Sequence, residues 1–323
     1  MKKGIKKFGK KGYKALEKEI GQLHHRVCFE PINIQDLSQS EKDKAMDSLA
    51  FITEKRDKSL KARTCANGST QREYMTKEEA ASPTASLESI MLTATIDAHE
   101  ERNVAIIDVP NAFVQTKIPQ KDGEDRIIMK IQGIMVDILV KLDPELYGPH
   151  VVFENGIKTL YVIVLRAIYG MLQSALLFYK QFRKDLEEVG FIFNPYDPCV
   201  ANKMINGKQL TITFHVDDIK ASHVEEKVID DMIQWVDMKY GDPEIGEVKA
   251  TKGNKHDYIG MILDYSTKRE VKIDMRYYVK NMLKEFPIKL KSTDTTVTPA
   301  NENLFNIDDS KDWIRKDLNN FIL

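Results

Sequence analysis

The sequence predicts a mixed α+β fold built around one large lobed domain or two small ones. Strand-like and helical patterns follow each other in a mixed order, with several hairpin signals and no internal repeat. Hydrophobic residues make up 42% of the chain and charged residues 30%, which excludes a mostly disordered or collagen-like protein. The 323 residues exceed the roughly 250–300 at which single cores stop growing.

The first third of the chain predicts a short helix, a capped helix and a hairpin. Residues 15–23 favour a helix, and Ser38 or Ser40 is placed to cap a second helix that starts near residue 41. Residues 51–66 predict two short strands around a charged turn at 57–59.

The middle of the chain predicts a helix, a strand and a β-rich insertion. Apolar residues recur at helical spacing over residues 87–98. Residues 104–109 form a short apolar strand, which Pro110 ends. Several β-like runs occupy residues 126–165, and Asn155-Gly156 within them is the strongest hairpin signal in the chain.

The remaining elements alternate between helices and strands. A long helix is predicted over 169–190 and an amphipathic helix over 224–240, with a hairpin between them that turns at Asn206-Gly207. Short strands are predicted at 258–265 and 271–274. A helix at 277–286 and a linker from residue 289 complete the chain.

Composition also excludes two locations. No apolar run approaches the ~18 residues that span a bilayer, and no apolar segment follows the basic start MKKGIKKFGKKGYK, so we expect a protein that is not secreted. The cysteines Cys28, Cys65 and Cys199 are odd in number and far apart, which indicates a reducing compartment without a disulfide framework.

The first fourteen residues hold seven lysines, although the net charge of the chain is only −1. One interpretation is a solvated, partly helical tail. The other is an arm that contacts a polyanion. The lysines are Lys2, Lys3, Lys6, Lys7, Lys10, Lys11 and Lys14.

The most informative segment is residues 210–219, LTITFHVDDI, a strand pattern that ends in two adjacent aspartates. Aspartate is depleted in strands, and Asp217 and Asp218 repel each other unless a turn or a cation accommodates them. A plain hairpin turn is the structural alternative. Asp108 ends a second apolar strand, and three such carboxylates meet the needs of a site for a divalent cation.

Seven motifs in order make the chain resemble the reverse transcriptase of Copia-type LTR retrotransposons over about residues 15–305. The segments that carry the resemblance are EKRDKSLKARTCANGSTQ, KEEAASPTASLESIMLTATIDAHE, AIIDVPNAF at 105–113, IYGMLQSALLFY at 168–179, FNPYDPCVA at 193–201, FHVDDIKAS at 214–222 and HDYIGMILDY at 256–265.

The resemblance implies a palm, with an antiparallel sheet backed by helices, and a fingers subdomain. It implies a basic N-terminal segment at 1–24, a fingers and palm domain at 25–290, and a linker at 291–323 cut before an RNase H domain. Asp108, Asp217 and Asp218 would then be catalytic and would bind two Mg²⁺ ions, with Mn²⁺ as a substitute.

The same resemblance assigns substrate contacts. Lys61 and Arg63 would bind the triphosphate of the incoming dNTP, since an arginine fork matches phosphate geometry. Phe113 would abut the sugar and exclude a 2′-hydroxyl. Gln173 would lie close to the nucleotide, where Gly170 would permit close backbone approach.

Primer contacts follow from the resemblance as well. Ile259, Gly260 and Met261 correspond to the strand that positions the primer end. His215 stands where the family usually has tyrosine, close to the primer terminus, and this replacement removes no metal ligand.

The resemblance predicts an RNA-directed DNA polymerase with an RNA or DNA template-primer and dNTPs as partners, and no membrane. Association with other Pol-derived domains such as integrase or RNase H is expected, in a cytoplasmic virus-like particle or the nucleus. The alternative is a catalytically inactive relic that still binds nucleic acid. A further palm-type enzyme, such as a cyclase, would share the carboxylates without predicting Gln173.

Overall fold

The computed structural model describes residues 2–54, 58–119, 126–243 and 246–286. Among these residues, those up to Met275 form one compact unit, and residues 276–286 belong to a second. No helix of the described ranges is long and apolar enough to cross a membrane.

The chain enters the larger unit through a helix and the strands of a first sheet. These elements are α1 (Lys2–His25), β1 (Phe29–Ile32), α2 (Gln39–Lys44), β2 (Met46–Glu54) and β3 (Leu60–Ala66). The helix predicted at 15–23 is confirmed, but α1 is much longer and is kinked at Gly9, whose backbone is non-helical. Ser38 caps α2 in a full capping box with Glu41.

The predicted hairpin over 51–66 is confirmed by β2 and β3, which pair antiparallel. Asp57, in its predicted turn, lies outside the described residues.

The next segment supplies the first strand of a second sheet. Its elements are α3 (Lys77–Ala80), α4 (Leu87–His99), β4 (Asn103–Asp108) and α5 (Ala112–Gln115). Ser86 caps α4 by accepting a hydrogen bond from the Ser89 amide. The Ser86 amide and hydroxyl both donate to Asp197, a buried carboxylate far along the chain, so this N-terminus is fixed by tertiary contacts.

The chain then returns to the first sheet. The elements are β5 (Ile128–Gln132), α6 (Ile134–Leu142), α7 (Pro144–Tyr147), β6 (Val152–Glu154) and β7 (Ile157–Val164). The strand order is β1-β7-β5-β2-β3, with β6 also on β7. All pairs are antiparallel except β2 with β5.

In this segment one feature was predicted correctly from the sequence and one helix was missed. The Asn155-Gly156 turn is confirmed, because Glu154 pairs with Ile157 and both turn residues have positive φ. The segment IMVDILVKL lies within the insertion predicted to be β-rich, where no helix was predicted, but it forms α6. Its buried residues are Met135, Val136, Ile138 and Leu139, whose spacing is helical rather than alternating.

The second sheet is completed by the C-terminal half of the larger unit. The elements are α8 (Ser174–Glu188), β8 (Ile192–Phe193), β9 (Val200–Ile205), β10 (Lys208–His215), β11 (Asp218–His223), α9 (Glu226–Tyr240) and β12 (Lys249–Lys252). The strand order is β12-β4-β11-β10-β9-β8, antiparallel throughout. This antiparallel sheet and its helices share one core that includes Phe178, Phe182 and Phe214.

The sequence predicted that this helix starts near residue 170, but α8 begins at Ser174. The Gly170 backbone, at φ +88°, cannot continue a helix.

A third, three-stranded sheet follows, formed by β13 (Lys255–Tyr258), β14 (Met261–Asp264) and β15 (Lys272–Asp274). The prediction of one strand over 258–265 is wrong, because Ile259 and Gly260 form a two-residue turn in which both have positive φ. The Tyr258 hydroxyl donates to the Thr213 carbonyl, which joins this sheet to the second one.

The smaller unit contains one described helix, α10 (Arg276–Glu285), which confirms the helix predicted at 277–286. The linker expected from residue 289, and the whole of 291–323, lie outside the described residues.

A buried ion pair joins the second sheet to helix α4. Lys220 of β11 donates to Asp97 of α4, with the two side chains 1% and 0% exposed. We expect Lys220→Met to lower the free energy of unfolding by about 3–5 kcal/mol, because the buried Asp97 carboxylate loses its hydrogen-bonded cation and keeps only the longer ion pair with Arg102, at 3.9 Å, among the described ion pairs. Urea denaturation measures this free energy.

Two variants serve as controls. The double variant with Asp97→Leu should recover most of the lost free energy of unfolding. Lys227→Met, which breaks an exposed pair with Asp231, should lower the free energy of unfolding by at most about 1 kcal/mol. A single Lys220 variant as stable as the parent would contradict the expectation.

Candidate active site

The two predicted carboxylate strands are neighbours in the second sheet. Asp108 at the end of β4 pairs directly with Asp218 at the start of β11, and Lys249 of β12 pairs with Asp108 on the other side. Residues opposite each other in an antiparallel pair have Cβ atoms about 4.5–5.5 Å apart on one face. The sequence prediction that these strand ends converge is therefore confirmed for Asp108 and Asp218.

Asp217 lies in the turn that joins β10 to β11. His215 pairs with Asp218, so the turn consists of Val216 and Asp217 alone. Val216 has φ +59°, which places it in the first position of a type II′ turn, where glycine is the usual residue. A β-branched residue is strained in this region of backbone space, and such strain concentrates at functional sites. The turn is the one that carries Asp217.

Asp108 and Asp217 share a cleft of about 320 Å³ with the predicted triphosphate ligands Lys61 and Arg63. Lys61 and Arg63 are two residues apart on β3, so their side chains leave the strand on one side. The cleft therefore brings together carboxylates from the second sheet and cations from the first sheet.

The electrostatics of the carboxylates favour a bound cation. Burial raises the pKa of Asp217 above its ordinary value, and repulsion from Asp108 acts in the same direction, while Arg63 opposes both. Burial also raises the pKa of Asp218, and the charges of Asp217 and Asp108 add to this. A divalent cation would relieve this repulsion.

The carboxylates of the cleft are the kind of ligand that Mg²⁺ uses together with substrate phosphates. Within the described residues, no group of three or more His, Cys, Asp or Glu side chains is arranged to hold a metal ion by itself. Mg²⁺ commonly binds through one or two carboxylates together with substrate phosphates and water. Asp108 and Asp217, which line one cleft, would supply such a pair of oxygen ligands. The prediction of three metal ligands stays a prediction.

Three side chains form a stack from the cleft inward. The Arg63 guanidinium lies 4.8 Å from the centroid of the Tyr169 ring, and the Phe113 ring lies 4.7 Å from Tyr169 on a tilted plane. Tyr169 itself lines the cleft, and burial raises its pKa to about 12, so it is un-ionised at neutral pH. Phe113 is thus one ring behind the cleft surface and also packs on the core of the second sheet.

Two other predicted nucleotide residues are placed differently. Gln173 is half-buried at the start of α8 and is not among the residues that line the cleft. The space beside Gly170 is filled by the backbone of Ala66, whose carbonyl oxygen would lie 2.0 Å from a Cβ atom at position 170. The predicted close approach to the Gly170 backbone is therefore made by β3, and the Ala66 amide donates to the Tyr169 carbonyl at 2.8 Å.

The predicted primer residues lie in or beside two hairpin turns, β10–β11 and β13–β14. His215 is the last residue of β10, and its Nδ1 is buried without a partner in the described structure. Ile259 and Gly260 form the β13–β14 turn, and Met261 is buried at the start of β14. The roles of these residues in positioning a primer stay predictions.

Sequence reasoning missed three contributors to the cleft. Tyr169 was available from the YGMLQ motif but was given no role. Lys249 belongs to β12, a short strand with all four residues exposed and therefore without a hydrophobic pattern. Residues of α1 line the cleft although they precede every assigned motif.

A sequence profile of the family described as "Reverse transcriptase (RNA-dependent DNA polymerase)" matches residues 37–302. This range covers most of the chain and includes all the carboxylate and cation positions described above.

Two solved structures align with most of this chain. The foamy viral protease–reverse transcriptase in complex with double-stranded DNA aligns with 85% of this chain at 12% identity and a TM-score of 0.43. Telomerase from Candida albicans, in complex with a fragment of telomeric RNA, aligns with 82% at 9% identity and a TM-score of 0.41. The chain spans 37% and 51% of the lengths of these two proteins.

Proposed function

The chain belongs to the reverse transcriptase (RNA-dependent DNA polymerase) family, and we propose that it is the polymerase domain of a Copia-type retrotransposon. It would add deoxynucleotides to a primer 3′-hydroxyl on an RNA or DNA template. The main support is the single cleft in which Asp108 and Asp217 face Lys61 and Arg63.

The residues of the cleft suit nucleotidyl transfer in distinct ways. Arg63 and Lys61 would bind the triphosphate, and the Tyr169 ring holds the Arg63 guanidinium in place through a cation–π contact. Asp108 and Asp217 would hold two Mg²⁺ ions, or Mn²⁺, together with the phosphates, and Asp218 would add negative charge beside them. When bound, such a pair of ions stabilises both the attacking and the leaving oxygens of an in-line displacement.

The turn geometry supports precise placement of the carboxylates. Both neighbours of Asp217 are fixed, because Val216 is held in a strained conformation and Asp218 is paired in β11. The Val109 amide also approaches the Asp217 carbonyl at 3.5 Å, which links the turn to the end of β4. Preorganised charge of this kind stabilises a transition state without reorganisation during the reaction.

Primer extension on an RNA template tests the proposal. The purified chain, an RNA template with an annealed DNA primer, dNTPs and Mg²⁺ should give products that extend to the template end, and EDTA should abolish them. A folded chain that binds template-primer and never extends it would support the inactive relic instead. Any association with integrase or RNase H domains of a longer polyprotein is part of the same proposal.

A further inference from the structure

Helix α1 forms a wall of the candidate active-site cleft. Ala15, Lys18, Glu19 and Gln22 line the cleft together with Asp108, Asp217 and Arg63, and they recur at the spacing of one helix face. The adjoining face carries Leu16, Ile20 and Leu23, which are buried in the core of the first sheet. The amphipathic pattern of α1 therefore orients the first face towards the cleft.

Two hydrogen bonds fix this face on both sides of the cleft. Glu19 Oε1 accepts from the Thr64 amide at 2.9 Å, next to Arg63 on β3. Gln22 Oε1 accepts from Asn111 Nδ2 at 3.0 Å, three residues beyond Asp108. The helix is thereby tied both to the strand that carries the cations and to the segment that follows a catalytic carboxylate.

Lys18 is the cation of this face, and it has no partner of its own. Its side chain is exposed and makes no hydrogen bond or ion pair with any residue that the structure describes. Neighbouring acidic residues are engaged elsewhere, since Glu17 pairs with Lys141 and Glu19 accepts from Thr64. An unpaired cation on a cleft wall beside Arg63 raises the local positive potential.

We propose that Lys18 binds the terminal phosphates of the incoming nucleoside triphosphate and the pyrophosphate that leaves. The inference rests on the proposed function and adds a contact from outside the two sheets. The ligand class follows from charge and position, because Lys18 lines the same cleft as Lys61 and Arg63, which the proposed function assigns to the triphosphate. Ammonium–phosphate contacts are charge-assisted hydrogen bonds, which are stronger than neutral ones.

The proposal also explains the lysines that precede Lys18. Lys14 and Lys11 lie four and seven residues earlier on the same side of α1, about 6 Å and 10 Å from Lys18 along the helix axis at 1.5 Å per residue. Both are exposed. A row of cations that ends at Lys18 would steer an anionic ligand towards the cleft.

The test compares Lys18→Gln with Lys10→Gln, which removes an exposed lysine two turns earlier that does not line the cleft. Steady-state extension of an oligo(dT) primer on poly(rA) with Mg²⁺ gives KM for dTTP and the inhibition constant of inorganic pyrophosphate. We expect Lys18→Gln to raise both by about tenfold, with little change in template-primer affinity. Lys18→Arg should retain pyrophosphate inhibition, and Lys10→Gln should match the parent.

Each other outcome overturns the proposal. Unchanged KM and unchanged pyrophosphate inhibition remove Lys18 from the polyphosphate site. A loss of template-primer affinity with unchanged KM would assign Lys18 to the nucleic-acid backbone. If the parent protein does not extend primers, the proposed function fails by itself, and calorimetric binding of inorganic pyrophosphate with Mg²⁺ to parent and Lys18→Gln still decides this inference.

Discussion

Asp217→Asn is expected to lower primer extension by about 10³-fold or more while template-primer affinity changes little. The amide preserves the size of the side chain and removes the negative charge that a divalent cation needs. The Val216–Asp217 turn is set by backbone pairing of His215 with Asp218, so the substitution should leave the fold intact. Extension assays and filter binding on the same preparation separate the two effects.

Asp231→Asn is the matched control for this experiment. Asp231 also belongs to an Asp-Asp pair, but it lies on the exposed face of α9, where it pairs with Lys227. We expect this variant to extend primers at the parental rate. If Asp217→Asn keeps most of its activity, Asp217 is not a metal ligand in the reaction.

Phe113→Val is expected to raise the use of ribonucleotides relative to deoxynucleotides by roughly tenfold or more, because relieving a steric conflict of one or two carbons changes selectivity by this order. The Phe113 ring supports Tyr169 at 4.7 Å, and Tyr169 lines the cleft. A smaller residue at 113 therefore enlarges the cleft either directly or through movement of Tyr169. Single-nucleotide incorporation of rNTP and dNTP on the same template measures the ratio.

The control for ribonucleotide selectivity is Phe153→Val on β6, where the residue is 68% exposed and is not among those that line the cleft. This variant should keep the parental ratio. A ratio that is unchanged in Phe113→Val would leave Phe113 as a core residue, in keeping with its contacts to the core of the second sheet.

Local signals predicted the hairpins well and the short elements poorly. Asn155-Gly156 and Asn206-Gly207 both turn with positive φ, because these residues adopt the left-handed region at low cost. The turn at Ile259-Gly260 was missed, since isoleucine at φ +51° contradicts its local preference. Helix α6 was missed because its apolar run also suits a strand.

The sequence by itself determined which carboxylates carry the candidate chemistry. An aspartate at the end of an apolar strand and an Asp-Asp pair after a second strand are local patterns. Their adjacency in the sheet then followed from the reverse transcriptase motifs. The pairing of Asp108 with Asp218 agrees with that expectation.

Only the tertiary structure decided what surrounds the carboxylates. Lys249 pairs with Asp108 across a strand without a hydrophobic pattern, Tyr169 lies between Arg63 and Phe113, and α1 brings Lys18 to the cleft. These contacts join residues far apart in the chain, and they depend on how helices and sheets pack. Periodicity and turn preferences report the local conformation of a segment, whereas burial of α1 against the first sheet determines which of its lysines faces the site.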